Sequence, residues 1–181
     1  MRSPRAWRAL SLTLLVVLVV VLARSTWAMP QLHQGNSIKK VKVVTETAAN
    51  SVNTSGIFAA DLPGATTTIT VPDASQAFLL IRFTAESACY GRVTGWCSIQ
   101  ILVNGQQAHP ISGESYAFDT VTNEGPEYEG HAAEKVSGTL GPGTYTVKVQ
   151  RTIHITDDPP FVGQSVFRLD DWTLTVERIE V

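Results

Sequence analysis

No stretch after residue 28 of this 181-residue chain carries an amphipathic helical period flanked by caps. That absence excludes a helical bundle and any regular alternation of strands with helices. There is no internal repeat and no domain linker, so a solenoid and a multidomain array are excluded as well. Only two cysteines are present, too few to make a zinc site by themselves. None of the four histidines, His33, His109, His131 and His154, falls in an HxH or HExxH pattern. No D-x-[DN]-x-[DN]-G run offers an EF-hand calcium loop. No G-x-S-x-G elbow occurs either: Gly113-Glu114-Ser115-Tyr116 departs from it at the final glycine and lacks the strand–turn–helix setting.

What is there begins with an export signal. Arg2, Arg5 and Arg8 precede an apolar run over residues 10–23. Thr26 and Ala28 then stand at the −3 and −1 positions of a cleavage point after Ala28. As a helix the apolar run would rise about 21 Å, short of the roughly 30 Å hydrocarbon core, which favours a cleaved signal over an uncut anchor. Twin arginine, lipobox cysteine and C-terminal hydrophobic tail are all missing. The expected organisation is a signal peptide over 1–28, a flexible tail over 29–36 and a single domain over 37–181. The expected location is secreted or cell-surface, with no membrane span after cleavage. Cleavage would remove four of the fourteen basic residues and no acid, leaving ten against sixteen, formally −6. A chain of that charge makes a poor partner for nucleic acid or an anionic membrane, and a better one for a cation or a sugar.

The rest of the chain reads as short strands between turns. Strands are expected over 38–47, 56–61, 65–71, 77–86, 97–103, 132–140, 144–155, 165–169 and 172–181, with a short one at 116–118. Leu62-Pro63-Gly64, Asn104-Gly105, Gly141-Pro142-Gly143 and Asp157-Asp158-Pro159-Pro160 supply turns and breaks. Residues 48–56 read as a small-polar loop holding the sequon Asn53-Thr54-Ser55. Along 144–155, Tyr145, Val147 and Val149 face one way, and Thr146, Lys148 and Gln150 the other. Eight to ten short strands of this kind define an all-β antiparallel sandwich, jelly-roll-like. Trp172, in mid-pattern, is expected in its core.

The two cysteines of an exported chain pair as Cys89–Cys97. They sit between two apolar runs. If the runs form one hairpin with Cys89 facing Cys97, opposed residue numbers sum to 186. Phe83 then faces Val103, and Ala85 faces Ile101. That register collects Ile81, Phe83, Ala85, Ile99, Ile101 and Val103 on one face. The alternative is an arch between two sheets, with the disulfide bridging the layers.

Two regions carry candidate chemistry. The loop 89–97 presents Tyr90, Arg92 and Trp96, an aromatic-and-arginine set suited to stacking on a sugar ring and bonding its hydroxyls. Packing of Trp96 against the disulfide is the competing role. The second region is the acidic loop 114–134, with Glu114, Asp119, Glu124, Glu127, Glu129 and Glu134 and no acid-balancing base before Lys135. Hard cations take several oxygen ligands, so Glu124, Glu127 and Glu129 are the weak metal candidates, with calcium the ion. A solvated acidic loop is the competing role. Asp170-Asp171 is expected to cap a turn before the last strand. No residue set stands out as nucleophile, base and oxyanion donor, so no catalytic residue is assigned.

Residues 140–150 (LGPGTYTVKVQ), 167–177 (FRLDDWTLTVE) and 96–105 (WCSIQILVNG) give the chain, over about 56–181, a resemblance to uncharacterised exported bacterial proteins of β-sandwich fold. The resemblance implies a sandwich and export, and brings no activity with it. The Gly143-Thr144-Tyr145 strand entry is also similar, more weakly, to trimeric jelly rolls of the C1q/TNF kind. The trimer-interface aromatics of that group are missing here. The sequence therefore favours a non-enzymatic extracellular module that binds a glycan or a protein or serves surface structure, with no required cofactor. A calcium-dependent or hydrolytic module built on the loop 114–134 is the alternative. Oligomeric state has no signature in the sequence.

Overall fold

The computed structural model describes residues 32–54, 59–91, 95–112, 116–122, 125–155 and 165–181. The expected export signal and the first residues of the expected tail lie outside them. So do Arg92, Glu114 and Glu124. Gln34–Val181 forms one compact unit.

The described residues form ten strands: β1 (Ser37–Glu46), β2 (Asn50–Thr54), β3 (Ala60–Val71), β4 (Ala77–Tyr90), β5 (Gly95–Val103), β6 (Gln106–Gln107), β7 (Asp119–Thr120), β8 (Glu129–Val136), β9 (Gly143–Ile155) and β10 (Ser165–Glu180). They form two sheets of five. The first runs β1-β10-β4-β8, with β2 beside the other half of β10. The second runs β3-β9-β5-β6, with β7 on the other half of β5. All strand pairs are antiparallel. This order is that of a jelly roll, two interleaved Greek keys closed face to face.

Alternation explains which side of each strand is buried. Leu79, Ile81, Phe83 and Ala85 of β4 face Ile99, Ile101, Val147 and Val149 of the second sheet across one continuous core. Trp172 lies in that core, 1% exposed, beside Phe83 at 6.1 Å between ring centroids. Two strands change parity midway. In β10 the inward residues are Phe167 and Leu169, then Trp172, Leu174 and Val176. The ladder to β4 shifts between Asp170 and Thr173, and Asp171 takes φ of 42°. One extra residue at this bulge keeps both apolar halves on the core side. Asp170-Asp171 is thus a bulge inside one long strand, correcting the expected turn between two. In β3 a larger irregularity lies between Asp61 and Thr66, where five steps of β3 face two of β9, Gly64 takes φ of 79° and inward residues pass from Leu62 to Ala65. Pro63-Gly64 bends this strand and does not end it.

Other expectations shift in the same way. β2 occupies part of the expected loop 48–56, because β10 is long enough to pair β1 with one half and β2 with the other. The short strand expected at 116–118 falls at β7 instead. Asn104-Gly105 makes the expected tight turn, with φ of 48° and 82°. Asn36 N donates to Glu180 O at 2.8 Å, so ordered contact with the sheet begins just before β1.

The hairpin of β4 with β5 does not form. β4 pairs β10 and β8, β5 pairs β9, β6 and β7, and the two lie in different sheets. The stapled pair is an arch, and Cys89–Cys97 bridges the layers with Cα atoms 5.9 Å apart. The apolar face read from the sequence is correct for either arrangement. The same residues instead line one core between the two sheets.

A strap runs over this disulfide. Phe118 N donates to Cys97 O (2.9 Å) in the second sheet, and Thr122 N to Cys89 O (2.9 Å) in the first. Farther along the same side, His109 and Val136 exchange two backbone bonds of 2.7 and 2.8 Å. Lys135, buried on β8 under this segment, donates to Pro110 O (2.7 Å) and Ser112 Oγ (3.1 Å), and lies 4.9 Å from the Tyr116 ring centroid. Burial pushes its ammonium below the ordinary lysine value.

Arg151 is the second buried cation. It points inward from β9, 4% exposed, and donates from Nη1 to Asn50 O of β2 at 3.0 Å. Its Nε has no hydrogen-bond partner, and no carboxylate pairs with it among the described residues. Burial lowers its guanidinium below the ordinary arginine value. Among the described residues one backbone carbonyl is its compensation, and a buried charge so held costs stability. Arg151→Met, similar in length and apolar, is expected to leave stability within about 1 kcal/mol of wild type or raise it. Urea midpoints of the two proteins check this, and a loss of 3 kcal/mol would show that the single bond to β2 outweighs desolvation.

Candidate functional site

The outer face of the second sheet collects the polar and aromatic groups best placed to bind a ligand. Residues two apart on a strand share a face, and directly opposed residues share it too. The register therefore sets out rows on this face. Trp96 of β5 opposes His154 of β9, Ser98 opposes Thr152, Gln100 opposes Gln150, and Leu102 opposes Lys148. Asp61 of β3 opposes Gln150 from the far side, and Thr66 opposes Lys148.

The Trp96 and His154 rings stack, with centroids 3.9 Å apart and planes at 27°. Both are half-buried. Below them Ser98 and Thr152 are buried, so the middle of the face is closed. The polar group follows. Asp61 Oδ1 accepts from Gln150 Nε2 at 2.7 Å and from Lys148 Nζ at 2.9 Å, and its Oδ2 accepts from Lys148 at 3.0 Å. Lys148 is neutralised by this pairing. Trp96 to Gln100 is four residues of strand, about 13 Å.

The hydrogen bond from Gln150, then that from Lys148, hold the exposed Asp61 carboxyl below its ordinary value of 3.8. A carboxyl whose folded value is depressed contributes stability above its unfolded value, and loses it as pH falls through the folded one. Wild type is thus expected to exceed Asp61→Asn in urea midpoint by a constant margin above about pH 5, a margin that closes in acid below about pH 4. A margin that persists unchanged at about pH 2 would show that charge has no part in it.

Tyr90 and Trp96, the described candidates from loop 89–97, are not brought to one place. Cys89 and Cys97 meet inside, so their neighbours project outward on opposite sides. Tyr90 leaves the outer face of the first sheet, and Trp96 that of the second. Of these two, Trp96 joins the polar rows and Tyr90 does not; Arg92 lies outside the described residues. The partners of Trp96 in those rows, His154, Gln100, Gln150, Lys148 and Asp61, were not singled out as site residues in the sequence. The alternation over 144–155 carried the signal, since it already set Lys148 and Gln150 on one outward side.

In the acidic region, Glu127 and Glu129 are exposed. Asp119 and Glu129 approach His131 Nε2 at 4.0 and 3.6 Å. Ser87 Oγ donates to Asp119 Oδ2 at 2.7 Å. Among the described residues no group of three His, Cys, Asp or Glu is disposed to hold a metal ion. Nor does this cluster make a nucleophile–base pair, because the fully buried Ser87 hydroxyl is spent on the carboxylate and not on the imidazole.

Among solved structures, the CBM36-1 domain of a multidomain xylanase from the hindgut metagenome of Trinervitermes trinervoides is similar over 75% of this chain and 96% of that domain. The identity is 10% and the TM-score 0.26, a likeness that bears on no ligand of this chain. No protein-family model and no curated protein matches the chain. No helix among the described residues is long and apolar enough to cross a membrane.

Proposed function

We propose that the chain is an extracytoplasmic, non-enzymatic binding module whose ligand is a neutral glycan held on the outer face of the second sheet. The row arrangement carries this reading: a stacked aromatic pair at one end and two glutamines, a lysine and an aspartate at the other, all on one sheet face. Aromatic surface suits the apolar face of a sugar ring, and amide, ammonium and carboxylate groups suit its hydroxyls. The mutual neutralisation of Asp61 and Lys148 leaves no net charge in the polar group, which favours hydroxylated ligands over anionic ones. The disulfide agrees with an oxidising compartment.

The test is a glycan array followed by titration of the strongest neutral hit. Trp96→Ala is expected to weaken binding by at least about tenfold, or 1.4 kcal/mol. The double variant Gln100→Ala/Gln150→Ala, which alters only outward groups, is expected to do the same. Binding unchanged in both variants would remove this face as the site.

A further inference from the structure

The opposite edge of the sandwich carries a second surface, independent of the glycan reading. β1 ends its sheet. One side of its backbone pairs β10, and the other pairs no strand among the described residues. Its side chains are exposed along nearly the whole length. Unpaired strand edges invite another strand, and natural sheets usually blunt them.

The two faces of β1 differ in chemistry. Val41 and Val43 project outward, at 49% and 58% exposure, with Ile38 at 55% beyond the bulge. Lys40 and Lys42 project to the other side, where Lys40 also lies opposite Arg178. Lys39 is paired with Glu180 at 3.2 Å, while Lys40 and Lys42 make no ion pair among the described residues. An otherwise acidic chain thus concentrates positive charge along this open edge.

This pattern disfavours pairing with a second copy of the same chain along the full strand. Antiparallel β1–β1 pairing that keeps the valine faces together must oppose residues whose numbers sum to an even value. In the two registers of greatest overlap, a sum of 82 sets Lys40 against Lys42, and a sum of 84 sets Lys42 against itself; a sum of 86 sets Lys40 against Glu46 but overlaps residues 40–46 alone. Like charges directly opposed are destabilising. A strand alternating aliphatic and acidic residues meets both faces at once: its aliphatics lie beside Val41 and Val43, and its carboxylates beside Lys40 and Lys42.

We propose that β1 is a docking edge for an extended, alternating acidic–aliphatic segment of another protein, added as a sixth strand to the first sheet. Main-chain bonds would give affinity, and the lysines would disfavour full-length self-pairing while selecting the partner.

The probe is a capped peptide Thr-Val-Glu-Val-Glu-Val-Thr, with Thr-Val-Lys-Val-Lys-Val-Thr as its charge-reversed control, titrated into the full chain and followed by amide chemical shifts. The acidic peptide is expected to shift amides of β1 and its neighbours on β10, with affinity falling as salt rises. The double charge reversal Lys40→Glu/Lys42→Glu is expected to cost the acidic peptide at least about tenfold and to turn preference to the lysine peptide. Both lysines are exposed, so an unchanged melting temperature confirms that the variant folds. Equal binding of the two peptides by wild type, shifts confined to other strands, or no binding at all would overturn the proposal.

Discussion

Trp172→Ala is expected to destabilise the protein by about 3–5 kcal/mol, the range for removing a fully buried large aromatic. Trp172 follows the bulge of β10 and is the first inward residue after the parity change. Its ring meets Phe83 of β4, and on its far side Gly64 of the β3 bulge approaches closely enough that a Cβ there would lie 3.6 Å away. The side chain therefore fills the space where two irregular strands, one from each sheet, bend toward one another. Alanine leaves a void that neither bulge can collapse into without losing its register. Trp172 Nε1 has no hydrogen-bond partner among the described residues. Nothing polar is lost in Trp172→Phe, which is expected to cost less than alanine, about 1–3 kcal/mol. Urea denaturation of the three proteins measures both steps. A loss below about 1 kcal/mol for alanine would mean that the core repacks around the gap.

Loss of the disulfide is the second large effect. Cys89→Ala/Cys97→Ala is expected to cost about 2.5 kcal/mol from the chain entropy of the closed loop. Both positions are buried, and the strap residues Phe118 and Thr122 hold the carbonyls of the two cysteines themselves. Without the covalent bridge, those two backbone bonds would have to keep the sheets in phase at this end. For a protein of this size the loss lowers the melting temperature by roughly 5–10 °C. A reduced wild type and the double alanine variant should melt alike. If the reduced form instead melts with the oxidised one, the strap alone suffices.

The class of fold was legible because its causes are local. Alternation in 144–155, β-branched runs, and Asn104-Gly105 each act over a few residues, and together they require an antiparallel sandwich. Trp172 was legible as core for the same reason. The partner of each strand was not. Ile81, Phe83, Ala85, Ile99 and Ile101 show the same inward pattern whether they meet across a ladder or across a core, so an arch reads like a hairpin. Pro63-Gly64 and Asp170-Asp171 resembled turns because a bulge uses the same residue types as a turn. The candidate site was legible only at Trp96. Asp61, Gln100 and Gln150 come from three strands far apart in sequence, and only the register sets them side by side.

The two long edges of the sandwich are fastened differently. On the side of β8 and β7, the fastening is main chain: His109 with Val136, Thr122 with Cys89 and Gly91, and the disulfide beside them. On the side of β1, β2 and β3, the sheets are tied by arginine side chains, Arg151 to Asn50 O and Arg178 to Thr70 O. The molecule is bound like a book, with a sewn spine and a clasped fore-edge. Opening motions that stop short of unfolding should therefore pivot on the spine. Amides of β1 and β2 should exchange with solvent well before those of β4 and β5. The clasped edge is also the one where β1 lies open, so an added strand there would act on the part of the fold that is easiest to part.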